Sequence, residues 1–273
     1  MTVLSTSSLA GVPLEFDIPD NTSGESQYCL ALHKSGSVLF YNILGELAKA
    51  AGKPEFALET SLFQKGVSLV DCPLELMAVL ERPGFLFAGF RMLWMLNYIR
   101  RFRTSTKLVL VRDPRDMAVS YYFSVASSHT VPVEGSVRDS ILAQRKQANR
   151  LDVNKFVRKG KCDFIFNNMR QFAVLANNDA KAHVFRYEDV IFEKEKWVTD
   201  IARLCQFDVS PEVIAQIAAK HDVRPDEERP DKHIRQVTPG NYKMHLDEAT
   251  LAHIEKKFEN VFRNFNYPLE TLS

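Results

Sequence analysis

Four runs of apolar residues, at 28–32, 85–90, 108–111 and 183–185, are continuous rather than alternating. A strand with one face in water alternates, so these runs predict strands covered on both faces, as in parallel sheets. Between them the period becomes that of amphipathic helices, at 38–51, 93–103 and 114–127, where Pro114 suits the first turn after Asp113. Strands alternating with helices predict an α/β fold of three layers, αβα, around a central parallel sheet. Beyond 134 the pattern is mostly helical, with helices expected at 136–149, 153–176, 194–205, 211–220 and 247–262. The polar, proline-containing stretch 221–242 reads as a long surface loop, of a kind that is often functional or disordered. Residues 1–26, rich in Ser, Thr, Gly and Pro, read as a flexible N-terminal lead-in, and without an evident linker 27–273 reads as a single domain.

Composition narrows the partners. The formal net charge of the 273 residues is +1, which gives no global attraction to nucleic acid or to an anionic membrane. Any anion must therefore be held by local arrangement. The four cysteines, Cys29, Cys72, Cys162 and Cys205, are widely spaced, with neither a C-x-x-C pair nor a zinc spacing, which fits a reducing compartment. The N-terminus lacks the pattern of a signal peptide and no window has the length and apolarity of a membrane span, so a cytoplasmic location is expected.

Two local arrangements fit anions. In Leu30-Ala-Leu-His-Lys-Ser-Gly-Ser37 an apolar strand ends on a lysine and a small-residue turn, and a helix follows. The backbone N–H groups of Ser35, Gly36 and Ser37 can face a phosphate there, with Lys34 as a mobile cation and the helix dipole in support. The alternative is a solvated lysine in an ordinary strand-to-helix turn. The lysine precedes the glycine and no upstream glycine opens the loop, unlike the G-x-x-x-x-G-K-S/T pattern of nucleoside-triphosphate kinases. In the second arrangement, 107–120, Arg112 stands at the carboxyl end of a predicted strand and Ser120 about two helical turns further on, where both can share a phosphate. Here the alternative is a surface ion-pair network of Arg112, Asp113, Arg115 and Asp116.

With these residues in view, the chain resembles the sulfotransferases that use 3′-phosphoadenosine 5′-phosphosulfate. His33-Lys-Ser-Gly-Ser37 is similar to their phosphosulfate loop, Pro-Lys-Ser-Gly-Thr-Thr, and Val111 to Phe123 to their 3′-phosphate motif with its arginine-to-serine spacing. Phe185-Arg-Tyr-Glu-Asp189 resembles the stretch whose tyrosine contacts adenine, and 234–245 the C-terminal loop that closes over the 3′-phosphate. The four matches keep the family's order. The resemblance implies a P-loop-containing fold and transfer of a sulfuryl group to a hydroxyl or amine of a small-molecule, lipid or glycan acceptor. It implies that Lys34, Ser35, Gly36 and Ser37 hold the phosphosulfate, that Arg112, Ser120 and Arg235 hold the 3′-phosphate, and that Tyr187 touches adenine. Lys34 becomes the donor to the leaving oxygen, and because a sulfuryl group carries less charge than a γ-phosphoryl, no metal is required.

The departures from the pattern are specific. Val38 and Leu39 replace a threonine and the adenine-stacking tryptophan, and Gln236 and Val237 replace lysine and glycine in the closing loop. The catalytic histidine of the family has no counterpart in Phe87-Ala-Gly-Phe-Arg91. His129 is therefore the leading candidate for the base that takes the acceptor's proton, with His33 second and Glu59 and Asp71 as further carboxylate candidates. Tyr121 to Phe123, and Trp94 with Met92, Leu93, Met95 and Leu96, read as core or as acceptor wall, and the basic residues Lys146, Arg150, Lys155, Arg158, Lys159 and Lys161 as a solvated face. Two rival functions remain: a P-loop kinase using ATP and magnesium, and a non-catalytic nucleotide-binding module. No nucleic-acid partner is expected, and a homo-oligomer is compatible with the sequence.

Overall fold

The structure is a computed structural model and describes residues 2–20, 23–93, 95–128, 131–133, 135–222 and 238–271. In chain order its elements begin with the strands β1 (Thr2–Ser7), β2 (Pro13–Ile18) and β3 (Gln27–Ala31), followed by helix α1 (Ser37–Ala50). Next come β4 (Glu55–Phe56), α2 (Leu58–Gln64), α3 (Leu74–Val79), β5 (Leu86–Phe90), α4 (Arg100–Thr104) and β6 (Thr106–Val111). The helices α5 (Pro114–Phe123), α6 (Ser136–Ala148), α7 (Val153–Arg158) and α8 (Asp163–Asn178) precede β7 (Ala182–Arg186). The chain then runs through α9 (Tyr187–Val190), α10 (Lys194–Cys205), α11 (Pro211–Lys220) and α12 (Glu248–Asn264).

The main sheet has the order β4-β5-β3-β6-β7, and every pairing in it is parallel. Its central strands are buried throughout, as their unbroken apolar runs require. Successive side chains of a strand point to opposite faces, and the core divides accordingly. Tyr28 and Leu30 join the side chains of α5, α7, α8 and α12 on one face, whereas Cys29 and Ala31 join those of α1, α10 and α11 on the other. This is the expected α/β arrangement of helices on both faces of a central parallel sheet.

Three expectations about elements are corrected. The lead-in at 1–26 contains an antiparallel hairpin of β1 and β2, with Leu14, Phe16 and Ile18 buried in the main core. Its alternation was masked by the surrounding Ser, Thr, Gly and Pro. In place of a helix at 93–103 there is a 3₁₀ turn at Leu96–Tyr98 and then α4. The Glu81 carboxylate accepts the N–H groups of Arg100 at 2.6 Å and Arg101 at 2.9 Å, so the helix starts anew there. The helix expected at 153–176 is divided into α7 and α8 at Gly160, which has φ of 71° and breaks the helical run.

The direction of the chain defines where a ligand fits. From β3 it proceeds to β4 and β5 on one side of the sheet, and from β6 to β7 on the other. The crevice beyond the carboxyl ends of β3 and β6 is thus a topological switch point, the place where open α/β sheets bind ligands. Both sequence motifs end there.

Candidate active site

Beyond β3 the backbone makes a tight turn into α1. Lys34 has φ of 67°, a left-handed conformation that costs a lysine about 1 kcal/mol. Gly36, the residue before α1, has φ of 92°. The expected set of three anion-facing amides is corrected at Ser35. Its N–H at 3.2 Å and its hydroxyl at 2.8 Å both donate to the Leu32 carbonyl, so Ser35 holds the turn closed. From Gly36 to Leu39 the amides have no acceptor within the helix, and among the described residues no side chain caps them. The amides that remain available to an anion are therefore those of Gly36, Ser37 and the first turn of α1.

The loop after β6 lies beside this turn. Arg112 is 7% exposed, its Nη2 stands 3.4 Å from Asp116 Oδ2, and its Nε is buried without a hydrogen-bond partner among the described residues. Tyr187, at the start of α9, links the two loops. Its ring lies 4.5 Å beneath the Arg112 guanidinium. It also fills the space over Gly36, where an added Cβ would come within 2.8 Å of the ring. Burial raises the Tyr187 phenol above its ordinary value despite the neighbouring arginine. Glu188 then accepts the Asp113 N–H at 2.8 Å and the Tyr267 hydroxyl at 2.9 Å, holding the Arg112 loop from the β7 side.

The charged cluster around Arg112 is buried rather than on the surface. Asp113 caps α5 through the Arg115 N–H and pairs with the Arg115 guanidinium at 2.7 Å. Arg115 also reaches Glu255 at 2.8 Å and faces the Tyr242 ring at 4.3 Å. Asp116 is fully buried and accepts the N–H groups of Gly240 at 2.8 Å and Tyr242 at 3.0 Å. Ser120 is half-buried one helical turn beyond Asp116, on the same face of α5. Asp116 was read from sequence only as part of an ion-pair network. Its spacing of four from Arg112 was the available signal, but nothing in sequence paired it with a turn more than a hundred residues away.

A sequence profile for the sulfotransferase domain matches residues 98–266. The chain belongs to the sulfotransferase domain family. Among solved structures it is similar to mouse sulfotransferase SULT7A1 complexed with PAP, with TM-score 0.60 and 15% identity over 89% of this chain and 87% of that one. It is also similar to retinol dehydratase in complex with androsterone and the inactive cofactor PAP, with TM-score 0.55 and 14% identity over 87% and 80% of the two chains. At these identities the likeness concerns the fold. No curated relative matches the sequence.

Other residues of this sulfotransferase domain that the sequence singled out fall in different places. Arg235 and His129, and Trp94 as well, lie outside the described residues. His33 is half-buried and packs edge-on against Phe164, with ring centres 5.5 Å apart. Phe164 in turn lines a cavity of about 390 Å³ with Tyr121, Gln144, Gln147, Phe156, Gly160 and Lys161. Leu93, Met95 and Leu96 are buried in the core, and so is Tyr121. The basic residues at 146–161 are exposed, Arg158 pairing with Asp247 at 2.9 Å. Just past β5, where the family's histidine is missing, Glu59 accepts the Arg91 N–H at 2.8 Å, and Nη1 of Arg91 stands 3.5 Å from the same carboxylate. Burial raises the Glu59 carboxyl above its ordinary value, outweighing the arginine.

Proposed function

We propose that this sulfotransferase takes its sulfuryl group from 3′-phosphoadenosine 5′-phosphosulfate and passes it to a hydroxyl or amine of a small-molecule, lipid or glycan acceptor. The observation that carries the reading is the Tyr187 ring, packed between the Gly36 turn and the Arg112 guanidinium. It sets the Gly36 turn and the Arg112 loop side by side at the switch point, which supports a nucleotide with phosphates at both ends of its ribose. The residues fit such a nucleotide: α1 opens with uncapped amides, and Arg112 Nε is buried with its donor unspent. The solved relatives in complex with PAP support the same donor.

When bound, the donor supplies an activated sulfuryl group whose bridging oxygen leaves with the nucleotide. In this reading Gly36 and Ser37 hold the 5′ end with Lys34, while Ser35 maintains the turn. Lys34 also neutralises the charge that builds on the leaving oxygen. Arg112, Ser120 and Arg235 hold the 3′-phosphate, and Tyr187 meets adenine. His129 takes the proton from the acceptor. A reducing, cytoplasmic setting belongs to the same proposal, in keeping with four unpaired cysteines and with no described helix long and apolar enough to cross a membrane.

Calorimetry with adenosine 3′,5′-bisphosphate against ATP and magnesium tests the donor. Tight binding of the bisphosphate and weak binding of ATP are expected; the reverse would overturn the donor reading. Labelled donor offered to phenols, alkyl alcohols, amines and glycans then identifies the acceptor. Binding without transfer to any of them would leave a nucleotide-binding module. Transfer is expected to continue in the presence of EDTA.

A further inference from the structure

We infer that Asp116 is a positioning residue that makes the 240–242 turn and the Arg112 guanidinium one unit, and so sets the preference for a 3′-phosphorylated nucleotide. This rests on the assignment of Arg112 to the 3′-phosphate given above. The Asp116 side chain is fully buried in the first turn of α5, and its two oxygens divide their bonds between two parts of the chain. Oδ1 accepts the Tyr242 N–H at 3.0 Å. Oδ2 accepts the Gly240 N–H at 2.8 Å and also faces Arg112 Nη2 at 3.4 Å.

The difference in length matters. The bonds to the turn are of ordinary strength, whereas 3.4 Å leaves the arginine weakly engaged. A guanidinium has five N–H donors in a fixed plane. With the Tyr187 ring under that plane and Asp116 at one corner, its orientation is defined while donors such as Nε stay unspent. Gly240, with φ of 86°, turns the backbone so that its own amide and that of Tyr242 converge on one carboxylate. An anion drawn to Arg112 thus meets an arginine already tied to the turn, and ordering either one favours the other.

The test is the ratio of two affinities, adenosine 3′,5′-bisphosphate against adenosine 5′-monophosphate, measured by calorimetry for the wild type and for Asp116→Asn. The amide keeps the size of the carboxylate but removes its charge and sets an NH₂ against one of the two backbone N–H groups. The bisphosphate is expected to bind about tenfold or more weaker to D116N, with the monophosphate changed by less than about twofold. A general loss of folding would weaken both alike. Glu255→Gln is the control: it breaks the neighbouring Arg115 pair, should lower Tm, and should keep the ratio. Should D116N fold poorly, hydrogen exchange on the wild type gives the answer. The Gly240 and Tyr242 amides are expected to become more protected with bisphosphate than with monophosphate. An unchanged ratio in D116N, or equal protection by the two nucleotides, overturns the inference. A wild type that does not prefer the bisphosphate at all refutes the 3′-phosphate reading itself, and the inference with it.

Discussion

At the scale of single residues, the division of labour around Lys34 gives the sharpest expectation. Its left-handed backbone stands in the turn between β3 and α1, and in the proposed reading the side chain contributes to transfer more than to holding the nucleotide. Lys34→Ala is expected to lower kcat by about 10²–10³-fold with a much smaller change in bisphosphate affinity; equal losses in both would reduce Lys34 to an anchor. The proton acceptor is tested by pH. A histidine base works unprotonated, so the rate should rise with pH through about 6.5 and level off above it. His129→Ala should remove that limb and lower kcat about 10²-fold. If the limb survives in H129A and disappears in Glu59→Gln, the role belongs to the half-buried α2 carboxylate that accepts the Arg91 N–H. Candidate site residues marked by their own type and a short spacing, such as Lys34, Gly36 and Arg112, could be picked out in sequence. Ser35 was legible only as a member of the turn, because whether its N–H faces outward or back to Leu32 depends on the backbone path. Asp116 lay beyond reach, since its partners are amides at 240 and 242 whose placement requires the folded chain.

At the scale of elements, β3 to α1 and β6 to α5 are rigid strand-to-helix joints whose ends meet on one tyrosine. Gly36→Ala tests that meeting. The new methyl must sit within 2.8 Å of the Tyr187 ring and take φ of 92°. Both demands oppose folding of the turn. We expect bisphosphate affinity to fall about tenfold or more, whereas Gly52→Ala, where φ is 64° but nothing lies within 4 Å, should cost about 1 kcal/mol of stability and leave binding intact. Calorimetry and thermal unfolding of the two variants separate site from backbone. The strands of the main sheet were readable because burial on both faces writes itself as unbroken apolar runs. The β1–β2 hairpin was not, because Leu14, Phe16 and Ile18 are only three apolar positions in polar surroundings. Glu81 as the cap of α4 was equally hidden, the carboxylate coming from outside the helix it starts.

For the whole molecule, the buried Arg115 cluster ties the C-terminal helix to the site. Burial opposes ionisation of Glu255, but bonds from the Thr271 hydroxyl, the amides of Glu270 and Thr271, and Arg115 together hold its carboxyl below the ordinary range. A carboxylate lowered on folding stabilises above its unfolded pKa, about 4.3, and the contribution disappears as pH falls through the lower folded value. Glu255→Gln should therefore cost about 3 kcal/mol at pH 7, leaving Arg115 partly unpaired. Denaturant unfolding should show that gap closing only below about pH 4; a gap constant down to pH 3 would mean that the charge is not what stabilises the cluster. The α/β class, the parallel sheet and the order of the motifs could be read from sequence because each is a periodicity or a spacing. The contacts of Arg115 with Glu255 could not, since they join residues 140 positions apart.

The central register of the sheet carries a last consequence. Leu30 is paired with Val109 and Ala31 with Leu110, so the Lys34–Gly36 turn and the Arg112 loop spring from neighbouring strands about 4.8 Å apart. Their separation is a property of backbone hydrogen bonding, insulated from nearly any side-chain change elsewhere. In the proposed reading the surfaces that choose an acceptor belong, by contrast, to helices and loops outside that ladder. Such a molecule is free to change customers while its supplier stays the same: selection on the acceptor side can proceed without loosening the grip on the donor.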